Sequence, residues 1–169
     1  MSRFQTSVPL TESSFKLKCQ DTFITLGSCF ADEIGQFFLQ HKFRMLVNPL
    51  GIVFNPSSLA KLLSLPLQKD SIARYDELLV EHDGLWHSLL HHGRFSQPDK
   101  TNLILKIDEA VRSTRLHLEE SDYLIITLGS AHAFRHLESG EIVTNCHKLP
   151  ATQFKKELLP ITDIENVLH

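Results

Sequence analysis

The sequence predicts an α/β fold in which helices flank a parallel sheet, and two stretches carry that prediction. Residues 23–26 are a short apolar run that ends at Gly27, and apolar residues spaced three and four apart follow it. Residues 123–128 form a near-continuous apolar run, which is typical of a parallel strand buried on both faces. Together they indicate strands that alternate with helices, the pattern of a parallel sheet.

The first third of the chain gives the clearest element boundaries. Residues 1–22 are polar and irregular, so we expect a surface lead-in segment before the first strand. A second strand is predicted at 42–47, after a right-handed crossover. Asn55 and Pro56 have the pattern of a helix N-cap and first helical residue, and Pro66 should end that helix. The helix between the two strands should bury a stripe made of Ile34, Phe37, Phe38 and His41.

Residues 66–100 have weaker periodicity. A short helix is predicted at 75–80, and residues 82–86 resemble a turn into an edge strand. Residues 87–95 carry three histidines without a clear repeat. We interpret this segment as an excursion that covers part of the rim of a site.

The last third returns to regular patterns. A hairpin is predicted from strands at 134–136 and 142–144, and a helix is predicted after Pro150 with Phe154, Leu158 and Leu159 inward. A long helix near 102–119 should bury Leu103, Ile107, Ala110, Val111, Thr114 and Leu118.

Thr162 and Glu165 have the spacing of a capping box, with Thr162 at the N-cap. The helix that this box would start is cut off at His169, after about two turns. We therefore expect the polypeptide to be a fragment or a truncated reading frame.

Composition favours one cytoplasmic globular domain over residues 1–169. The chain has 42% hydrophobic residues and a net charge of −3 without blocks of like charge, which argues against nucleic acid as a partner. No stretch approaches the ~20 apolar residues of a membrane span, and the first residues lack a signal-peptide core. The three cysteines form no C-x-x-C pair, which suits free thiols in a reducing compartment.

The turn after the first strand is the first candidate site. Ser28 and Cys29 follow Gly27, at the carboxyl end of a strand and the amino end of a helix. Ligands of open α/β sheets bind at such strand ends, and free N–H groups there can hold an anion and lower the pKa of a thiol. An ordinary strand–helix corner has the same spacing, so the pattern alone leaves both interpretations open.

Four blocks of sequence resemble one known family. Residues 27–31 read GSCFA, and the chain resembles the bacterial GSCFA-domain family, a divergent branch of the SGNH (GDSL-type) hydrolases. That resemblance implies a three-layer αβα fold with a parallel sheet, SGNH-hydrolase-like and truncated at its carboxyl end. The other three blocks are residues 48–56 (NPLGIVFNP), 125–131 (IITLGSA) and 143–150 (VTNCHKLP).

The resemblance implies roles for residues near the first two blocks. Cys29 takes the place of the nucleophile, and a shift of one residue would give that role to Ser28. Gly51 matches a glycine of the oxyanion hole, with Asn48 at its rim and Gly27 beside the nucleophile. An unreactive buried thiol, or an ordinary Asn-Pro and Gly turn, are the alternatives.

The third and fourth blocks depart from the SGNH pattern. Gly129 matches a glycine of the oxyanion hole, but Ala131 stands where that pattern has Asn, so Ser130 or His132 would have to supply the donor. The late Asp-x-x-His block has no counterpart. His147 is therefore the first candidate base and His132 the second, and Asn145 is expected to contact substrate. Each histidine is also compatible with a purely structural role.

The implied function is hydrolysis or transfer of an acyl group from an ester or thioester, on a small molecule or a carbohydrate. A catalytically inactive binding module, for example for acylated carbohydrate, is the alternative that Ala131 and the absent block favour. No cofactor is expected. Metal is not predicted, because His87, His91 and His92 have no carboxylate or thiol partner nearby in sequence. The oligomeric state is left open.

Overall fold

The computed structural model describes residues 9, 11–68 and 78–169. The 3₁₀ turns Gly93–Phe95 and Ala151–Gln153 accompany the regular elements. In chain order these elements are β1 (Thr22–Gly27), α1 (Cys29–Gln40), β2 (Arg44–Ile52), α2 (Pro56–Leu67), β3 (Leu79–His82), β4 (Leu85–Ser88), α3 (Lys100–Glu120), β5 (Tyr123–Thr127), β6 (His132–His136), β7 (Ile142–Val143), β8 (Phe154–Leu158) and α4 (Ile161–Leu168).

A parallel sheet with the strand order β2-β1-β5 forms the centre of the fold, which confirms the predicted α/β class. In β1, Phe23 pairs with Met45 on one side and with Tyr123 on the other. Thr22 fixes the start of this register, because its N–H donates to Asp122 Oδ2 at 2.9 Å. The central strand is the most buried of the three, as its position between two neighbours requires.

Helices α1 and α3 lie on opposite faces of this sheet. Phe23 points towards α1, where its ring lies 5.7 Å from that of Phe38. The next residue, Ile24, belongs to the main core cluster together with Ile107 of α3. Successive side chains of a strand point to opposite faces, so one helix packs on each face of the central strand β1.

The buried face of α1 differs from the predicted stripe. Ala31 and Gly35 are its buried residues, whereas Phe37 is 57% exposed. A Cβ at Gly35 would lie 2.6 Å from both methyl groups of Val47, so α1 approaches β2 more closely than a larger side chain permits. The small residues therefore face the sheet, and Phe37 faces outward.

Strand β5 is exposed on one face, so the prediction of burial on both faces is wrong. Leu124 and Ile126 are 44% and 41% exposed. Helix α3 packs over β1 and β2, which leaves these side chains uncovered. Among the described residues β5 pairs with β1 alone, and its outer edge is open there.

Two antiparallel units complete the described structure. Strands β3 and β4 form a hairpin around Asp83 and Gly84, whose φ values of 51° and 71° are those of a tight hairpin turn. This agrees with the predicted turn into a strand. Of the helix predicted at 75–80, Leu79 and Val80 lie in β3 instead, and residues 75–77 fall outside the described residues.

Strands β7, β6 and β8 form the second unit, and the predicted hairpin is confirmed in β6 and β7. The helix predicted after Pro150 is wrong, because residues 154–158 form β8 against β6. Arg135 of β6 holds Glu157 of β8 in an ion pair at 2.5 Å, a contact across strands that helical periodicity cannot reveal.

Helix ends agree with the sequence in one case and differ in two. Asn55 caps α2 as predicted, its Oδ1 accepting the Ser58 N–H at 2.8 Å. Pro66 lies inside α2, which ends one residue later. The predicted capping box is wrong, since α4 begins at Ile161 and its N-cap makes no side-chain hydrogen bond. No helix in the described ranges combines the length and hydropathy that a bilayer crossing needs.

Candidate functional site

The turn between β1 and α1 is built around Gly27. Its φ is +131°, and a Cβ there would lie 2.1 Å from the carbonyl oxygen of Thr127. Only glycine permits both that backbone conformation and this close approach of β5. The turn therefore sits where the carboxyl ends of β1 and β5 meet.

Ser28 is held by β5 and is 6% exposed. Its N–H donates to the carbonyl of Thr127 at 3.0 Å, and its Oγ lies 2.9 Å from Thr127 Oγ1. Ser28 is the N-cap of α1, but its side chain makes no capping hydrogen bond. Because the hydroxyl is turned to Thr127, it does not satisfy the first N–H groups of the helix.

Cys29 is the first residue of α1 and has an exposed, free thiol. It lies at the positive end of a 12-residue helix. Of the two nucleophiles predicted at this turn, Cys29 is accessible to a reagent and Ser28 is covered.

Asn48 lies beneath the turn and is fully buried. Its Oδ1 accepts the Gly27 N–H at 2.8 Å, and its Nδ2 donates to Asp32 Oδ1 at 2.6 Å. A longer contact of 3.3 Å joins Nδ2 to the carbonyl of Ser28. The amide thus connects β2, the turn and the first turn of α1.

Gly51 lies in an irregular part of β2. Between Val47 and Ile52 the strand carries more residues than the facing stretch of β1, and Gly51 there has a φ of +96°. A Cβ at Gly51 would lie 2.7 Å from the Cβ of His92. The 87–95 segment therefore covers this part of β2.

Arg94, in the same 87–95 segment, also contacts the irregular part of β2. Its guanidinium donates to the carbonyl of Asn48. Burial lowers the pKa of Arg94, and the nearby Asp32 carboxylate raises it. Asp32, Asn48 and Arg94 thus form one polar network below Ser28.

Gly129 and Ser130 follow β5 and lie on the other side of the turn. A Cβ at Gly129 would lie 3.3 Å from the Cβ of Ser28. The N–H groups of both residues donate to the carbonyl of Phe54 at 2.9 Å. Ser130 Oγ accepts the N–H of the exposed His132 at 3.0 Å.

His147 and Asn145 lie in a different group of residues. His147 is 9% exposed, and its Nε2–H donates to the carbonyl of Ser88 at 2.7 Å. Its N–H donates to Asn145 Oδ1 at 2.9 Å. Burial lowers the pKa of His147, more than the hydrogen bond to Ser88 raises it. Within the described residues no hydrogen bond joins His147 to Ser28 or Cys29.

The predicted residues thus fall into two places. One group lies at the turn and consists of Gly27, Ser28, Cys29, Asn48 and Gly129. Gly51 lies nearby in the irregular part of β2, and Ser130 and His132 follow Gly129 along the chain away from the turn. Thr127 was not predicted, although its position at the end of β5 matches that of Gly27 at the end of β1. Arg94 was not predicted either, because its contact with Asn48 spans 46 residues.

Metal binding gains no support from the structure. In the part of the chain that it describes, no group of three or more histidine, cysteine and carboxylate side chains has a metal-binding arrangement. His87 and His91, which share a sequence cluster, bond to different serines. His87 Nδ1 lies 2.6 Å from Ser96 Oγ, and His91 Nδ1 lies 2.9 Å from Ser88 Oγ.

Comparison with known proteins gives one match. The model of the GSCFA family matches residues 22–169, well over half of the chain. No curated protein and no solved structure matches significantly.

Proposed function

Because the chain belongs to the GSCFA family, we propose that the turn between β1 and α1 is an acyl-transfer centre. Its substrate would be an ester or thioester of a small molecule or a carbohydrate. We propose with it that the fold is a three-layer αβα variant of the SGNH type. Three free cysteines fit a reducing compartment, and we place the protein in the cytoplasm.

One observation carries this proposal. Cys29 presents an exposed thiol at the first position of α1, and the hydroxyl of Ser28 is turned to Thr127 instead of capping the helix. The thiol therefore lies beside N–H groups that no N-cap side chain satisfies. A thiolate is favoured at a helix amino end, and such N–H groups can bind the oxyanion that forms in acyl transfer.

In the proposed reaction, Cys29 Sγ attacks the carbonyl carbon and forms an acyl-enzyme. N–H groups at the start of α1 hold the oxyanion, and the alcohol or thiol leaves with a proton. Water or a second alcohol then takes the acyl group. This chemistry requires no cofactor.

We assign the proton acceptor to His132. Its sequence position is three residues after Gly129, which lies against Ser28, and its side chain is exposed. His147, the first candidate from sequence, has its Nε2–H on the carbonyl of Ser88. Asn48 has its amide occupied on both sides, so we assign it a positioning role rather than that of an oxyanion donor.

A binding module without catalysis is the second candidate. The N–H groups of Gly129 and Ser130 both donate to the carbonyl oxygen of Phe54, and the side chain of Ala131 has no donor for an oxyanion. Loss of one such donor typically costs ~3 kcal/mol of transition-state stabilisation. This interpretation keeps the turn as a ligand site and removes turnover.

The two candidates are separated by hydrolysis of p-nitrophenyl acetate and an acetyl thioester, measured beside iodoacetamide labelling below pH 8. Catalysis by Cys29 predicts that Cys29→Ala abolishes turnover of the thioester, while Ser28→Ala retains it. Cys19→Ala is the matched control, because Cys19 is also an exposed free thiol but lies outside the turn. His132→Ala should lower turnover of the thioester, and His147→Ala should not.

Two results would contradict the proposal. The first is thioester turnover that persists in Cys29→Ala. The second is equal iodoacetamide reactivity of Cys19 and Cys29, which would mean that the turn does not activate its thiol. A folded wild-type protein without turnover on either substrate would favour the binding module.

A further inference from the structure

A groove of about 330 Å³ lies between the β3–β4 hairpin and residues 145–148. The residues that line it include His87, Ser96, Asn145, His147 and Lys148. None of the residues at the turn between β1 and α1 lines it. The groove is therefore a separate place in the fold.

Ser96 and His87 have the geometry of a nucleophile and its base. Ser96 Oγ lies 2.6 Å from His87 Nδ1, and His87 Nε2 lies 3.2 Å from the carbonyl oxygen of His82. A carbonyl can only accept, so Nε2 carries the proton. The neutral ring then has its lone pair on Nδ1, where it accepts the Ser96 hydroxyl proton.

The ring of His87 is fixed by its surroundings. His87 is 8% exposed, and the ring of His147 stacks on it at 4.6 Å with an interplanar angle of 28°. His147 is itself held by the carbonyl of Ser88. A base that is oriented by a third group and held by packing meets the requirements of a catalytic pair.

Residues 145–148 supply hydrogen-bond donors from a strained backbone. His147 and Lys148 are consecutive residues with φ values of 46° and 60°, a conformation that side chains other than Gly and Asn seldom adopt. Strain of this kind concentrates at functional sites. Asn145 Oδ1 is bound to the His147 N–H, which leaves the amide Nδ2 and the Lys148 ammonium as donors for a developing oxyanion.

We propose that Ser96 and His87 form the nucleophile and base of a second acyl-transfer centre, which accepts small oxygen esters. Ser96 Oγ bonds to the ester carbonyl carbon as its proton passes to His87 Nδ1. The bond from that carbon to the leaving oxygen breaks, and the leaving oxygen takes the proton from His87. Water then releases the acid from Ser96 by the reverse proton transfers, and no other co-reactant is needed.

A fluorophosphonate probe tests the pair on the full chain, with the labelled peptide identified by mass spectrometry. The probe should label Ser96 and leave Ser139 unlabelled. Ser139 is the matched control, because its Oγ also lies 3.0 Å from a histidine Nδ1, that of His136, but it does not line the groove. Equal labelling of the two serines, or no labelling of Ser96, would overturn the proposal without any variant.

Variants then assign the roles. Ser96→Ala should remove the label, and His87→Asn should slow labelling by ~100-fold or more, the usual contribution of a general base. Wild-type labelling kinetics in folded His87→Asn would refute the role of the base. In the Cys29→Ala protein, the fluorophosphonate probe should label Ser96 as in the wild type. In the Ser96→Ala protein, iodoacetamide should react with Cys29 as in the wild type. Failure of one centre is therefore distinguishable from failure of the other.

Discussion

Replacing Asn48 with alanine should lower the free energy of unfolding by about 3.5–7 kcal/mol. Asn48 is fully buried, and alanine leaves the Gly27 N–H without its acceptor, which costs ~1–3 kcal/mol. The lost hydrogen bond to the Asp32 carboxylate removes ~1.5–3 kcal/mol, as bonds to charged groups do. The φ of 41° adds ~1 kcal/mol, since alanine tolerates this region less well than asparagine.

Urea denaturation of the wild type and three variants measures this effect. Asn48→Gly loses the same hydrogen bonds but accepts the positive φ, so it should be ~1 kcal/mol more stable than Asn48→Ala. Asn102→Ala is the control, because Asn102 is exposed and its change should stay within ~0.5 kcal/mol. By thermal unfolding, Asn48→Ala should melt ~7–28 °C lower.

Two outcomes would refute this reasoning. If the midpoint of Asn48→Ala corresponds to a loss below ~1 kcal/mol at an unchanged m-value, the amide does not hold the turn. If Asn48→Gly is no more stable than Asn48→Ala, the backbone conformation contributes nothing, and the hydrogen bonds alone account for the loss.

Three further changes test other parts of the fold. Gly35→Ala should destabilise the fold by ~1–3 kcal/mol, because its Cβ would lie 2.6 Å from Val47. Val47→Ala in the same chain should restore part of that loss. If urea denaturation shows that the two changes in the free energy of unfolding are simply additive, the contact between these residues is excluded. Asn55→Ala should cost ~1 kcal/mol by the same measurement, as loss of an N-cap bond does, and an unchanged midpoint would contradict the cap. Burial, with a smaller contribution from His147, lowers the pKa of His91 from 6.5 to about 3. Between these two pH values the unfolded chain binds a proton at His91 that the folded chain does not. The free energy of unfolding should therefore decrease as the pH is lowered from 6.5 towards 3, by up to ~1.4 kcal/mol per pH unit. His91→Gln should flatten that part of the curve, and an unchanged slope would show that His91 is not its cause.

Elements with strong local signals could be predicted from the sequence. The run at 23–26, the cap at Asn55 and the long helix near 102–119 all appear at or near their predicted bounds. Strand β8 was missed because its residues have no decisive local preference, and pairing with β6 determines its conformation. The exposure of Leu124 was missed for a similar reason, since an apolar run does not reveal how far a neighbouring helix extends.

The candidate site shows the same division between local and distant information. Ser28 and Cys29 could be placed at the end of β1 because strand, glycine and helix are consecutive in sequence. Their difference in exposure could not be predicted, because it depends on Thr127, 99 residues later. The separation of His147 from the turn likewise depends on packing around Ser88, 59 residues away.

The position of β1 in the sheet has a consequence for synthesis on the ribosome. Residues at the start of β1 meet their partners beside β5 about 100 residues later, whereas β2 follows directly after α1. At ~5–20 residues per second, one edge of the central strand waits ~5–20 s for its second neighbour to be translated. During that interval another chain on the same messenger can pair with it, so the yield of native protein should depend on the speed of translation between β2 and β5.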